Sequence, residues 1–161
     1  MQDMLVRLYD LPDHMDLMGR LAQEGIEIRR PLAAEKSLTI EWVARRFGSG
    51  WASEADVSFG YQPVTCFIAI ADRRVIGFAC YDSCYRNFFG PTGVAEEYRG
   101  RGVGKALLFA CLNAMRDQGY AYAIIGGVGP ADFYAKACGA ELIAGSDPGI
   151  YRGILSEVPV E

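Results

Sequence analysis

One stretch in the middle of the chain constrains the fold more than any other. A strand-like run at 88–94 leads into a basic loop with alternating glycines, a helical run at 102–118 and a second strand-like run at 122–125. Apolar residues recur at helical spacing through 102–118, and Gly119 stands where a left-handed C-cap ends a helix. Strand, helix and strand in this order form a right-handed parallel crossover. The sequence therefore predicts one parallel β-α-β unit here.

The remaining segments predict the element order β-α-α-β-β-β-α-β-α-β-β. Asp13 is expected to cap a first helix and Ser37 a second that ends at Phe47. A fourth helix, which is short, is expected at 131–138, and the other predicted strands cover 4–9, 65–71, 75–81, 141–144 and 150–155. The runs at 65–71 and 75–81 flank a short polar interval that is typical of an antiparallel hairpin. The expected fold is α/β (α+β), with a mixed, mostly antiparallel central sheet and helices on both faces.

Residues 49–63 mix glycine, serine, acidic and aromatic residues, a composition that is typical of a shaped surface loop. We expect this loop to be a lid over the substrate. The chain of 161 residues is expected to form a single domain, 1–161.

Charge and cysteine usage exclude several function classes. The chain has sixteen Lys and Arg residues against twenty Asp and Glu residues, so it lacks the excess of positive charge that binds a phosphate backbone. We therefore expect no nucleic-acid partner. Met1 is not followed by a targeting segment, and no apolar run approaches the ~20 residues that span a bilayer, which predicts a cytoplasmic protein without a membrane partner. Five cysteines and one histidine lack zinc-ligand spacing, so no metal is expected. A homodimer is compatible with the sequence.

The loop at 99–105 has the features of an anion site. It precedes a helix, so its backbone N–H groups are free and the positive end of the helix dipole faces it. Gly100, Gly102 and Gly104 remove side chains, while Arg99, Arg101 and Lys105 add positive charge. The spacing does not fit a Walker A loop, which needs a glycine at Arg99 and Ser or Thr at Ala106, and it does not fit the glycine spacing of a dinucleotide fold.

The loop resembles motif A of the GNAT superfamily of acyl-CoA-dependent N-acyltransferases. The family pattern [QR]-x-x-G-x-[GA] is met by Arg99-Gly100-Arg101-Gly102-Val103-Gly104, and the similarity is specific from Gly93 to Ala140. The resemblance implies acetyl-CoA (coenzyme A) as co-substrate, with its pantetheine arm on the strand that ends at Val94 and Ala95. It also implies that the amides of 101–104 hold the diphosphate, with Arg99, Gly100 and Lys105 around it.

The same resemblance implies an N-acetyltransferase that acts on a primary amine of a small molecule or peptide by direct attack on the thioester. Tyr134 stands at the family position for the proton donor to the leaving thiolate. We expect Asp82 to be the base, with Asp56 and Glu41 as alternatives, and Trp51, Thr92 and Tyr85 to line the acceptor side. Gly127 replaces a common family asparagine. A non-catalytic acyl-CoA sensor, and an acyltransferase with another acyl group or acceptor, remain alternatives.

Overall fold

The computed structural model describes residues 1–156, which fold around a seven-stranded sheet. The strands are β1 (Met4–Arg7), β2 (Glu27–Arg29), β3 (Cys66–Ala71), β4 (Arg74–Tyr81), β5 (Phe88–Val94), β6 (Tyr122–Ile125) and β7 (Glu141–Leu142). The helices are α1 (Met15–Gln23), α2 (Lys36–Phe47), α3 (Ser49–Ser58), α4 (Val103–Asp117) and α5 (Ala131–Cys138). The spatial order is β2-β3-β4-β5-β6-β1-β7, and only β5 and β6 pair in parallel. The predicted mixed sheet with one parallel crossover is confirmed.

Successive side chains of the central strands point to opposite faces of the sheet, and each face has its own core. On one face, Ala79 of β4 packs in a cluster with Leu107 and other residues of α4. On the other face, Phe78 packs with Val43 of α2 and Ala55 of α3. The predicted placement of helices on both faces is therefore confirmed. None of the described helices combines the length and the apolar character that crossing a bilayer requires.

The β3–β4 hairpin is confirmed, and its turn explains its register. Asp72 and Arg73 have φ angles of 48° and 60°, so both occupy the left-handed region that a two-residue hairpin turn uses. Gly119 has a φ of 97° after α4, which confirms the predicted left-handed C-cap.

The pairing between β5 and β6 is much shorter than either strand's pairing on its other side. The parallel ladder has only two residue pairs, Phe88↔Ile124 and Phe89↔Ile125. Residues 90–94 continue along β4, whereas β6 ends at Ile125. The two strands therefore separate, and a gap opens between them.

The predicted lid at 49–63 is wrong in its first part, because α3 occupies Ser49–Ser58. Gly48 has a φ of 95°, which lets the chain turn sharply between α2 and α3. The buried residues of α3, Ala52, Ala55 and Ser58, recur every three positions but are small, so the apolar pattern in the sequence is weak.

Smaller predictions at other places are also wrong, and one strand is not predicted by the sequence pattern. Ser37 lies inside α2, which begins at Lys36, so it is not the N-cap. The three-residue edge strand β2 was too short and too charged to be predicted. The predicted strand at 150–155 is absent from its described residues, since Gly149–Tyr151 form a 3-10 turn and Gly153 has a positive φ. The chain leaves the sheet after Leu142, where pairing with β1 ends.

We predict that Gly93→Ala destabilises the fold by about 1–3 kcal/mol, the range for overpacking a core. A Cβ atom on Gly93 would overlap with the Phe47 ring, whose Cζ is the nearest atom, so the ring would have to move. Urea unfolding measures the change. The control is Gly19→Ala in α1, where a Cβ meets nothing within 4 Å and alanine should stabilise the helix by about 0.5–1 kcal/mol. Wild-type stability in Gly93→Ala would contradict the close contact with Phe47.

Candidate functional site

A cavity of about 790 Å³ lies at the gap between β5 and β6. Gly104 and Leu108 of α4 line it from one face of the sheet, and Trp51 and Glu54 of α3 line it from the other. Its sides are residues 88–94 of β5 and the segment 125–130 that follows β6. Because α3 and α4 lie on opposite faces, the cavity connects the two faces through the gap.

The α4 end of the cavity is a helix N-terminus with free amides. Gly102 is the N-cap residue, and the first helical hydrogen bond runs from the Ala106 N–H to the Gly102 carbonyl, at 3.0 Å. The amides of residues 103–105 therefore have no carbonyl acceptor within the helix. Such amides, together with the helix dipole, favour an anion.

The three loop glycines are required for different reasons. Gly100 and Gly102 have φ angles of 74° and 89°, and a Cβ on Gly102 would also lie 2.8 Å from atoms of Leu17 and Arg20. The backbone and its neighbours therefore require glycine at both positions. Gly104 has an ordinary φ, and its Cβ would meet only Val94 Cγ2, at 3.6 Å. A side chain at Gly104 would fit the fold but would fill the cavity, so glycine here preserves space.

Two cations at this end have no acidic partner within residues 1–156. Arg99 lines the cavity, and its Nε donates to the Val94 carbonyl at 3.2 Å. Lys105 lies half-buried in the first turn of α4, and neither residue is in an ion pair. Arg101 is different, since Nη2 contacts a Glu24 carboxylate oxygen at 3.3 Å. Free amides, unpaired cations and the space beside Gly104 together fit the diphosphate of coenzyme A.

The edge of β5 presents backbone groups to the gap. The Ala95 N–H donates to the Ile76 carbonyl at 2.8 Å, toward β4. Because backbone groups alternate in direction along an antiparallel strand, those of Thr92 and Val94 face the gap. Ala95 itself is buried with its amide bonded to β4. Thr92 lines the cavity, and its hydroxyl donates to the Phe78 carbonyl at 3.1 Å.

Tyr134 lines the middle of the cavity and is 6% exposed. Its ring packs edge-on against Phe89 and Phe133, at centroid distances of 6.2 and 5.0 Å. Burial raises the pKa of the Tyr134 phenol to about 12, so the hydroxyl stays protonated at neutral pH. It forms no hydrogen bond with another described residue, which leaves it available as a donor.

The structure does not bring the predicted acceptor-side residues Trp51 and Tyr85 into one cavity. Trp51 lines the cavity, whereas Tyr85 lies in an adjoining groove that shares Glu54, Cys84 and Tyr151 with the cavity.

The structure places the predicted base, Asp82, outside the cavity lining. One carboxylate oxygen of Asp82 accepts the Asn87 N–H at 2.7 Å, and the other accepts the Tyr120 hydroxyl at 3.0 Å. The first bond closes the connection between β4 and β5, and the second ties this connection to the segment before β6. The two alternatives also lie outside the lining and in ion pairs, Asp56 with Lys36 and Glu41 with Arg45.

The sequence reasoning missed Glu54, which is half-buried and lines the cavity from α3. Its Oε1 accepts the Tyr151 hydroxyl at 3.2 Å. Burial raises the pKa of the neighbouring Cys84 thiol to about 12, so Cys84 stays neutral. The helix at 49–58 places Trp51 and Glu54 on one face, whereas the composition of 49–63 predicts a loop, which has no such face. Within residues 1–156, no group of three or more His, Cys, Asp or Glu side chains has a metal-binding arrangement.

Comparison with solved structures shows the fold. The chain is similar to a GCN5-related glucosamine N-acetyltransferase region of a fungal multi-domain β-N-acetylglucosaminidase, with a TM-score of 0.72 and 18% identity, over 88% of this chain and 19% of that chain. It is also similar to a GCN5-related N-acetyltransferase from Sphaerobacter thermophilus, with a TM-score of 0.69 and 20% identity, over 88% and 48%. An aminoglycoside acetyltransferase from an uncultured soil metagenomic sample has a TM-score of 0.53 and 13% identity, over 71% and 88%. The chain thus spans less than half of the first two proteins.

Comparison of sequences shows the family. No curated protein matches the chain. Residues 35–140, about two thirds of the chain, match the model of the acetyltransferase (GNAT) family, and this range includes the loop, α4 and α5. The chain therefore belongs to the GNAT family of acetyltransferases, which transfer acyl groups from coenzyme A.

Proposed function

We propose that this chain is an N-acetyltransferase that transfers the acetyl group of acetyl-CoA to a primary amine of a small molecule or peptide. The observation that carries the proposal is the cavity that joins the N-terminus of α4 to the α3 face through the gap between β5 and β6. A co-substrate on one face and an amine on the other would meet in the gap. Direct attack then needs no covalent enzyme intermediate.

The α4 end is the proposed binding site of the co-substrate. The amides of residues 101–104 and the cations Arg99 and Lys105 would hold the diphosphate. The β5 edge at Val94, whose carbonyl already accepts from Arg99, would bond to the pantetheine arm through its N–H. When bound, acetyl-CoA supplies the acyl group as an activated thioester. The wide space beside Gly104 supports this assignment, since a Cβ there meets only Val94.

Two groups of the chain face the proposed reaction centre. The Tyr134 hydroxyl donates its proton to the departing thiolate, a role that its protonated state at neutral pH supports. Backbone N–H groups on the free edge of β5 stabilise the carbonyl oxygen as it gains negative charge. The amine must reach this centre neutral, although free alkylamines have a pKa near ~10.

Asp82 and its hydrogen bonds have a structural role in this proposal, because both carboxylate oxygens hold the β4–β5 connection. The carboxylate that lines the cavity on the α3 side is Glu54. A non-catalytic acyl-CoA sensor would bind coenzyme A without releasing free thiol in the presence of amines, so measurements of binding and of thiol release separate it from an enzyme.

Coenzyme A is expected to raise the melting temperature of the wild type, and Gly104→Glu is expected to abolish the shift. At a hundredfold excess over Kd, binding contributes about 2.7 kcal/mol to stability. The introduced carboxylate would occupy the diphosphate site and repel the diphosphate, while a Cβ at this position meets only Val94 Cγ2, at 3.6 Å. Differential scanning fluorimetry with coenzyme A measures the shift. Ala44→Glu, on the exposed surface of α2, is the matched control and should keep the full shift. A normal shift in Gly104→Glu would refute the cofactor assignment.

Tyr134→Phe is expected to lower turnover by roughly 10²-fold with little change in the Michaelis constant for acetyl-CoA. Phenylalanine keeps the packing against Phe89 and removes only the proton donor. Thiol release in the presence of an accepted amine is the readout. Tyr122→Phe, an exposed residue outside the cavity lining, should leave turnover unchanged. Equal turnover of Tyr134→Phe and wild type would make Tyr134 a packing residue.

A further inference from the structure

Few charged side chains line the cavity, and they lie on different segments of the chain. Three lining residues have charged side chains: Arg99 on the loop before α4, Glu54 on α3, and Asp147 on the segment after β7. The Asp147 carboxylate is exposed and accepts the Met1 ammonium at 2.8 Å. Glu54 is half-buried and is in none of the ion pairs formed within residues 1–156. The α3 side of the cavity therefore has one sheltered, uncompensated carboxylate.

Glu54 is held in place without losing its capacity to bind a cation. The Tyr151 hydroxyl donates to Oε1 at 3.2 Å, and the Cys84 thiol lies beside the same carboxylate. Tyr151 lies in the 3-10 turn of the C-terminal segment, so the hydrogen bond joins that segment to α3 at the cavity wall. These contacts orient the carboxylate, and the lone pairs that remain can accept from an ammonium group.

The surroundings of Glu54 are aromatic. Trp51 lies one helical turn before Glu54 on α3, lines the cavity and is 40% exposed. Its ring stacks on Phe47, with centroids 5.3 Å apart and an interplanar angle of 28°. Phe88 and Phe133 line the cavity as well. A carboxylate next to the Trp51 ring, in a cavity with further aromatic rings in its wall, complements a ligand with one cationic group and a flat apolar body.

We propose that the α3 side of the cavity takes a primary monoamine with an aromatic body, whose ammonium group binds Glu54 and whose ring packs against Trp51. This inference rests on the proposed acetyl transfer and names its acceptor class. Glu54 accepts one proton from the ammonium group, and the neutral amine nitrogen then forms a bond to the acetyl carbonyl carbon. As the C–S bond breaks, the thiolate takes the Tyr134 proton, and the second proton that the nitrogen loses restores the Tyr134 hydroxyl. A polyamine fits poorly, because its further ammonium groups would be desolvated against aromatic walls, and the other lining carboxylate, Asp147, is already paired with the Met1 ammonium.

The first test compares amines on the wild type by the release of free thiol from acetyl-CoA. The kcat/KM for phenethylamine is expected to exceed that for spermidine by about tenfold or more, within the range that an apolar pocket can discriminate. Comparable values, or a preference for spermidine, would overturn the acceptor class while leaving acetyl transfer intact. This comparison uses no variant, so it does not depend on how a substitution affects folding.

The second test addresses Glu54 directly. Glu54→Gln is expected to raise the KM for phenethylamine by about tenfold or more and to lower kcat, with an unchanged thermal shift by coenzyme A. Asp56→Asn is the matched control on the same helix, since Asp56 is exposed, paired with Lys36 at 2.9 Å and outside the cavity lining. It should keep wild-type kinetics. Wild-type KM and kcat in Glu54→Gln would overturn the role of Glu54.

A tertiary amine separates failure of this inference from failure of the proposed function. N,N-dimethylphenethylamine has the ring and the ammonium group but no transferable hydrogen on neutral nitrogen, so it is expected to inhibit competitively against phenethylamine. It should raise the melting temperature of the wild type and not that of Glu54→Gln. If it binds in this Glu54-dependent way but no amine releases thiol, acetyl transfer is overturned and the ligand class stands. If it fails to bind while other amines are acetylated, the ligand class is overturned and acetyl transfer stands.

Discussion

The incomplete pairing of β5 and β6 is the constraint on which the site depends. Two residue pairs join these strands, after which β5 continues along β4 alone. Backbone groups on a strand edge need hydrogen-bond partners, and here the edge borders a cavity instead of a neighbouring strand. The sheet therefore supplies both the opening between its faces and a row of backbone groups for a ligand.

The connections that follow the two strands determine what surrounds the gap. The chain after β5 turns through the basic glycine loop into α4, so a helix N-terminus lies at one end of the cavity. The chain after β6 leads to α5, which carries Tyr134 into the cavity wall. Parallel strands joined by a crossover place both of these segments at the same edge of the sheet. The cofactor loop and the proposed acid are thus neighbours although Gly104 and Tyr134 are 30 positions apart in the chain.

The acceptor side of the cavity is formed by other segments of the chain. The sharp turn at Gly48 folds α3 back over the sheet, and Gly93 lets the Phe47 ring approach β5 closely. The C-terminal segment reaches the same place and bonds to Glu54 through Tyr151. Phe47, Glu54 and Tyr151 line one cavity because α2, α3 and the C-terminal segment pack at the same side of the gap. The cofactor side and the acceptor side are therefore built by separate parts of the chain.

The sequence by itself determined the crossover, the hairpin and the anion-binding loop, because these depend on local patterns: helical periodicity, turn residues and alternating glycines beside basic residues. It also singled out Tyr134, whose position follows from family similarity. Only the tertiary structure decided which carboxylate lines the cavity. Asp82 and Glu54 are both acidic residues in mixed polar segments, and their roles differ through long-range partners, Tyr120 for one and Tyr151 for the other. The partners in these two hydrogen bonds are separated by 38 and 97 positions in the chain, so a local sequence pattern cannot indicate them. The acceptor side was therefore determined only by the tertiary structure.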